Sequence, residues 1–172
     1  MVVVSSLVAR LAPNTVRRLE RAAEKRFQEG ECLKRQNRFL GALYLYGYSV
    51  EMCLAAAYFR SAGFGPNEII DPETRRRCMA QARQLRHPDC QPLMSSDPHP
   101  LDGWARFLEW HRRLRALPVR EAQRLREAVR KAQKVYRHWR PELRYKTIDV
   151  AANQFDEVRQ CVRWFIDHRG RI

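Results

Sequence analysis

The sequence predicts an all-α chain: an antiparallel bundle of four long helices with one or two short additional helices, forming one domain over residues 1–172. Three observations carry this expectation. The stretch Phe39 to Phe59 is apolar on nearly every face at helical spacing, as a helix surrounded by other helices must be. Ala122, Leu125, Val129, Ala132, Tyr136 and Trp139 alternate spacings of three and four, the seam of an antiparallel bundle. Only seven glycines occur, and no run alternates apolar with polar residues as a half-buried strand would.

Taken in order, Asn14 after Pro13 is placed to cap a first helix whose stripe is Val16, Leu19, Ala23 and Phe27, with Gly30 as its end. The second helix is expected from residue 33 to about 61, stopped by Gly63 and Gly65-Pro66. Its length and flanking Arg38 and Arg60 also suit a membrane span. Against that, Glu51 near mid-span would cost roughly 3 kcal/mol, and four tyrosines lie inside the segment rather than at its ends. A buried core helix is the better reading. Asp71-Pro72-Glu73 supplies a capping acid, a proline at the first helical position and an acid at the positive end, starting a short polar helix that runs to about Leu85. Residues 86–100 hold four prolines and read as a loop. Asp102 opens a helix with Trp104, Phe107, Leu108, His111 and Leu114 toward the core, closed before Pro118. The seam helix follows, its other faces bearing Arg120, Arg124, Arg126, Arg130, Lys131, Lys134 and Arg137, until Pro141 breaks it. A last helix, from about Ala151 to His168, presents Phe155, Val158, Val162, Phe165 and Ile166.

The charge balance is one-sided: 33 Lys+Arg against 19 Asp+Glu, a formal net charge of +14 and a pI near 10.3. That surplus favours polyanionic partners such as nucleic acid, nucleotides or an acidic protein. Because 28 of the 33 are Arg, genomic base composition competes as an explanation. Five cysteines (Cys32, Cys53, Cys78, Cys90, Cys161) are scattered and form no CxxC pair, which fits a reducing compartment. The first residues have no charged region before their short apolar run and no A-x-A site, so the expectation is a cytoplasmic protein without a signal peptide or membrane anchor.

Two segments resemble a known family. Ala42-Leu43-Tyr44-Leu45-Tyr46-Gly47-Tyr48-Ser49-Val50-Glu51-Met52-Cys53-Leu54-Ala55-Ala56 is similar to the second-helix signature of HEPN domains, where a small residue precedes an aromatic-rich turn and then G-Y-x-V-E-x-x-L-K-A. Trp139-Arg140-Pro141-Glu142-Leu143-Arg144-Tyr145 resembles the W-x-P-E-x-R-Y segment that some members carry before their last long helix. His99-Pro100-Leu101 is similar to the H-x-L that often opens the middle helix. The resemblance implies an up-and-down four-helix bundle, usually a homodimer, that binds nucleotides or RNA. Many members sit beside a small nucleotidyltransferase in toxin–antitoxin pairs. Active members are metal-independent ribonucleases with an Arg followed by four to six residues and then His. There the His moves the 2′-hydroxyl proton and the Arg holds the phosphate charge.

At the expected place this chain lacks that pair. The positions where His is required hold Tyr145, Lys146 and Thr147 counted from Arg140, and Asp149, Val150 and Ala151 counted from Arg144. The spacing does occur at Arg106/His111 and Arg163/His168, but 28 Arg in 172 residues produce such pairs readily by chance. Within a helix, five residues also turn the second side chain roughly 140° from the first. Arg106 and His111 are therefore the weak catalytic candidates. The candidate binding residues are Arg140, Arg144, Tyr145 and Lys146: guanidinium forks for phosphate and a ring for stacking, at an elbow made by Pro141. In the structural alternative, Arg144 pairs with Glu51 or Glu142 and Tyr145 packs on the core. A carboxylate at position 51 on an apolar helix needs such a partner. His87, Cys90 and His99 do not complete a familiar zinc spacing, and no phosphate-loop, dinucleotide or nucleophile-elbow motif is present, so no metal or cofactor is expected. The leading reading is a dimeric HEPN-like nucleotide- or RNA-binding protein without nuclease activity. The rivals are a metal-independent ribonuclease using Arg106/His111 and a non-catalytic protein-interaction module.

Overall fold

An apolar helix that must be hidden on every side dictates where its neighbours go. In the structure, a computed structural model describing residues 15–84, 101–113, 117–147 and 149–172, that helix is α2 (Phe39–Ser61). It follows α1 (Val16–Arg35) and precedes α3 (Pro72–Gln84), α4 (Leu101–Arg113) and α5 (Val119–His138). A 3-10 turn over Pro141–Tyr145 then leads to α6 (Ala152–His168). The described residues thus form a helical bundle of six helices, without a strand. Helix α2 packs on α1, α4 and α6, whereas α5 lies mainly across α4 and α6. By length and composition α2 could cross a membrane; here Tyr46, Val50, Leu54 and Ala56 are fully sheathed by the other helices.

The helix ends follow their capping chemistry. Thr15 caps α1, its hydroxyl accepting from the Arg18 N–H at 3.1 Å; Asn14, the expected cap, lies outside the described residues. Gly30 does not end α1. It is buried inside the helix, where a Cβ would come within 2.6 Å of the Tyr46 ring. Glycine here permits close approach of α1 and α2, and the chain turns instead at Asn37, whose φ of +58° occupies the left-handed region. The Arg38 N–H reaches back to the Leu33 carbonyl at 2.9 Å and the Asn37 N–H to Lys34 at 2.9 Å, closing α1. Helix α2 closes in the same way on Gly63 (φ +99°), with Phe64 bonded back to Phe59 at 3.0 Å. Asp71 caps α3 as its sequence indicates, accepting from the Thr74 N–H at 2.7 Å. The loop at 86–100, Leu85, Cys90 and Leu114 lie outside the described residues.

The seam of α5 keeps Leu125 and Ala132 of the expected one and shifts by one residue at Val129 and Tyr136. Leu125, Ala128, Ala132 and Val135 are buried, while Val129 and Tyr136 are only half-buried. Both sets satisfy the three–four alternation, and α5 turns inward the one with the smaller residues, Ala128 in place of Val129 and Val135 in place of Tyr136, against α4 and α6. Trp139 leaves the seam altogether. It is the extended residue after the helix, fully buried against α2. On α6, Phe155, Val158, Val162, Phe165 and Ile166 are buried as expected, joined by Cys161. Cys53 and Cys78 are buried thiols too, and Cys32 is exposed.

Polar side chains within this core are satisfied. Ser49 donates to the Ala23 carbonyl at 2.8 Å, tying α2 to α1 across the small-residue face. Tyr46 donates its hydroxyl to Glu31, which also receives both fork nitrogens of Arg159 at 2.8 Å each, so one carboxylate joins α1, α2 and α6. The Arg159 bond is the chief reason that the Glu31 carboxyl is held below its ordinary value of 4.5, while burial first and Glu31 second push the Tyr46 hydroxyl upward.

Two stability outcomes follow. Gly30→Ala should destabilise the protein in urea unfolding by about 1–3 kcal/mol through overpacking against the Tyr46 ring, more than the roughly 1 kcal/mol that alanine gains in a helix interior. Because folding lowers the Glu31 pKa, the folded state binds fewer protons than the unfolded one. Its stabilisation is complete above the ordinary carboxylate range and should be lost as pH falls through and below 4.5. Thermal melts of wild type and Glu31→Gln should therefore converge at acid pH and separate at neutral pH.

Candidate nucleic-acid interface

The site begins with a tryptophan. Pro141 cannot continue α5, so the chain leaves the helix extended at Trp139 and Arg140 and then forms the short 3-10 turn. The Trp139 indole enters a socket on α2 where Gly47 has no side chain; a Cβ at Gly47 would overlap the ring itself. Trp139 Nε1 donates to the Tyr44 carbonyl at 3.0 Å, and its ring meets Tyr48 edge-on at 5.3 Å. The two sequence segments that carry the family resemblance are thus in direct contact, and their glycine and tryptophan are the two halves of one joint.

Outward from this joint lie tyrosines and cations. Tyr44 and Tyr48 stand one helical turn apart with ring centroids 5.0 Å apart and hydroxyls 3.5 Å apart. Burial, then the neighbouring Tyr44 hydroxyl, and more weakly the Glu51 carboxylate, keep Tyr48 protonated well above the usual tyrosine range. Arg144 is exposed, its guanidinium 4.7 Å from the Tyr145 ring centroid, and hydrogen bonding to Tyr44 is the first cause that favours its charged form. Tyr145 is 73% exposed, a large ring held out to water, and Lys146 beside it is exposed as well.

Of the residues expected to bind, three are exposed to solvent, Arg144, Tyr145 and Lys146, and the first two are in contact. Arg140 is different. Its guanidinium lies 3.4 Å from the Tyr136 ring centroid and donates to the Trp139 carbonyl at 2.7 Å, so it braces the elbow from the half-buried side. Tyr145 does not pack on the core. Glu142 is exposed in the 3-10 turn, and Glu51 is half-buried on α2 three residues beyond Tyr48. Tyr44, Tyr48 and Tyr136 were not expected at the site. They sit within the aromatic-rich and seam segments, where a ring at helical spacing looks like core.

The two other Arg/His spacings are not brought together. Arg106 is exposed and pairs with Asp102 at 3.3 Å one turn back, whereas His111 turns toward α2, its Nδ1 3.0 Å from the Ser61 hydroxyl. Arg163 pairs with Asp167 at 3.3 Å, while His168 stacks on Trp164 at 4.5 Å and bonds its carbonyl at 2.8 Å. Among the described residues no group of three or more His, Cys, Asp and Glu could hold a metal ion; His87, Cys90 and His99 lie outside them. Compared with protein-family models, curated proteins and solved structures, the chain matches none of them.

The joint makes a further outcome testable. Gly47→Ala should expel the indole from its socket, seen as a red-shifted tryptophan emission and a loss of about 1–3 kcal/mol in denaturant unfolding.

Proposed function

We propose that this protein is a HEPN-like, RNA- or nucleotide-binding helical bundle without the usual Arg–His nuclease pair. The carrying observation is the elbow: Arg144, Tyr145 and Lys146 displayed together on a turn anchored by a buried tryptophan. An exposed tyrosine offers a stacking face to an unpaired base, and the flanking cations hold the adjoining phosphates. Anchoring the turn through Trp139 means the platform is ordered before the ligand arrives, which reduces the entropic cost of binding. The net charge of +14 adds long-range attraction for a polyanion. Exposed ring plus cations, without a convergent acid–base pair at the elbow, support binding rather than cleavage. The resemblance adds a homodimer and a nucleotidyltransferase partner to the proposal, and cytoplasmic residence with it.

Fluorescence anisotropy with a labelled single-stranded RNA tests this reading. Arg144→Ala and Tyr145→Ala should each weaken binding roughly tenfold with the melting temperature unchanged. Arg144→Ala should also lower the slope of log affinity against log salt by about one, whereas Tyr145→Ala should leave that slope alone. Undiminished affinity in both variants would remove the elbow as the site.

A further inference from the structure

We propose that a second, separate cavity binds the di- or triphosphate group of a small ligand. It lies at the far end of α2, where Arg60, Arg112, Arg124 and Arg171 converge on a space of about 420 Å³. Ser61 stands thirteen residues beyond Tyr48 on that helix, so the cavity is roughly 20 Å along the axis from the elbow at 1.5 Å per residue. The four arginines come from α2, α4, α5 and the segment after α6. No local sequence motif joins them; the bundle does.

Their existing bonds leave donors to spare. Arg60 is the most committed: it holds Glu20 and donates to the carbonyls of Arg169 at 2.9 Å and Ile172 at 3.3 Å. Arg112 gives one nitrogen to Glu121 at 2.7 Å, and Arg124 gives one to the Arg171 carbonyl at 3.0 Å. A guanidinium carries five N–H donors in a fork that matches two phosphate oxygens. Among the described residues Glu20 pairs with Arg60 and Glu121 with Arg112, whereas Arg124 and Arg171 pair with no carboxylate side chain, and a ligand with several negative charges complements that surplus. Ser61 adds a hydroxyl at the wall, oriented by His111 Nδ1 at 3.0 Å. The described lining contains no aromatic ring on which a base could stack. The cavity therefore recognises the phosphate chain and is indifferent to what that chain is attached to. An inorganic polyphosphate and a nucleoside triphosphate are equivalent ligands on this reading.

Isothermal titration with inorganic triphosphate, ATP and orthophosphate tests the proposal. Triphosphate and ATP should bind with similar affinity and orthophosphate much more weakly. Arg124→Ala and Arg171→Ala should each weaken triphosphate binding roughly tenfold, the loss expected for one charge-assisted contact. Glu121→Gln should strengthen it, because the one carboxylate side chain in the described lining is then neutral. Arg144→Ala, at the elbow, should leave it unchanged, which separates failure here from failure of the RNA-binding reading. The proposal is overturned if the wild-type protein binds no triphosphate, if ATP alone binds, or if folded Arg124→Ala and Arg171→Ala proteins bind as the wild type does and Glu121→Gln gains nothing.

Discussion

Helix α2 has apolar residues around its whole circumference, and a single neighbour can cover only a fraction of that surface. It must be enclosed, and the enclosure sets the positions of α1, α4 and α6. Enclosure at close range needs small contacts as well as large ones. Gly30 lets the Tyr46 ring lie against α1, Ser49 places only a hydroxyl between α2 and Ala23, and Ala42 and Ala56 leave room for backbone approach. The large side chains then fill what remains: Phe27 stacks on Tyr46 at 5.6 Å, and Phe155 meets the same ring at 5.7 Å. Burying a tyrosine this deeply is tolerable because its hydroxyl reaches Glu31, which Arg159 neutralises from α6.

The elbow is held by the same logic. Its charged and aromatic residues Arg144 and Tyr145 are exposed, and a five-residue 3-10 turn touches the core only through buried Pro141 and half-buried Leu143. Order is imported from the core through Trp139, whose ring is fixed by the missing Cβ of Gly47 and whose N–H is fixed by a carbonyl of α2. Arg140 stacked on Tyr136 secures the other side. Fold and candidate site are therefore one construction, with the buried ring as stem and the exposed ring of Tyr145 as head.

Periodicity made much of this legible. The α6 stripe from Phe155 to Ile166 is buried residue for residue, since a repeat of three and four within one segment records directly which face is hidden. The start of α3 was equally plain, because a capping acid followed by proline acts within one turn. What escaped the sequence depended on distant partners. Gly30 carries the same local signal whether it ends a helix or admits a neighbouring ring, and only the position of Tyr46 decides. The α5 seam had two sets of positions of equal periodic merit, separated by how α4 and α6 approach. At the elbow, Pro141 announced the break and Arg144, Tyr145 and Lys146 are exposed, yet the bracing role of Arg140 required the Tyr136 ring beneath it. The arginine cavity was invisible for the same reason: its members are separated by more than a hundred positions in the chain.

The indole socket also constrains the history open to this chain. A larger residue at 47 has nowhere to go while the ring is present, and a smaller residue at 139 leaves a hole that glycine cannot fill. Each position makes the other's replacements harmful, so the pair can drift only by passing through a poorly packed ancestor. Descendants that keep the fold should hold both or have exchanged both, while the cations and ring at the rim remain free to diversify with whatever they touch.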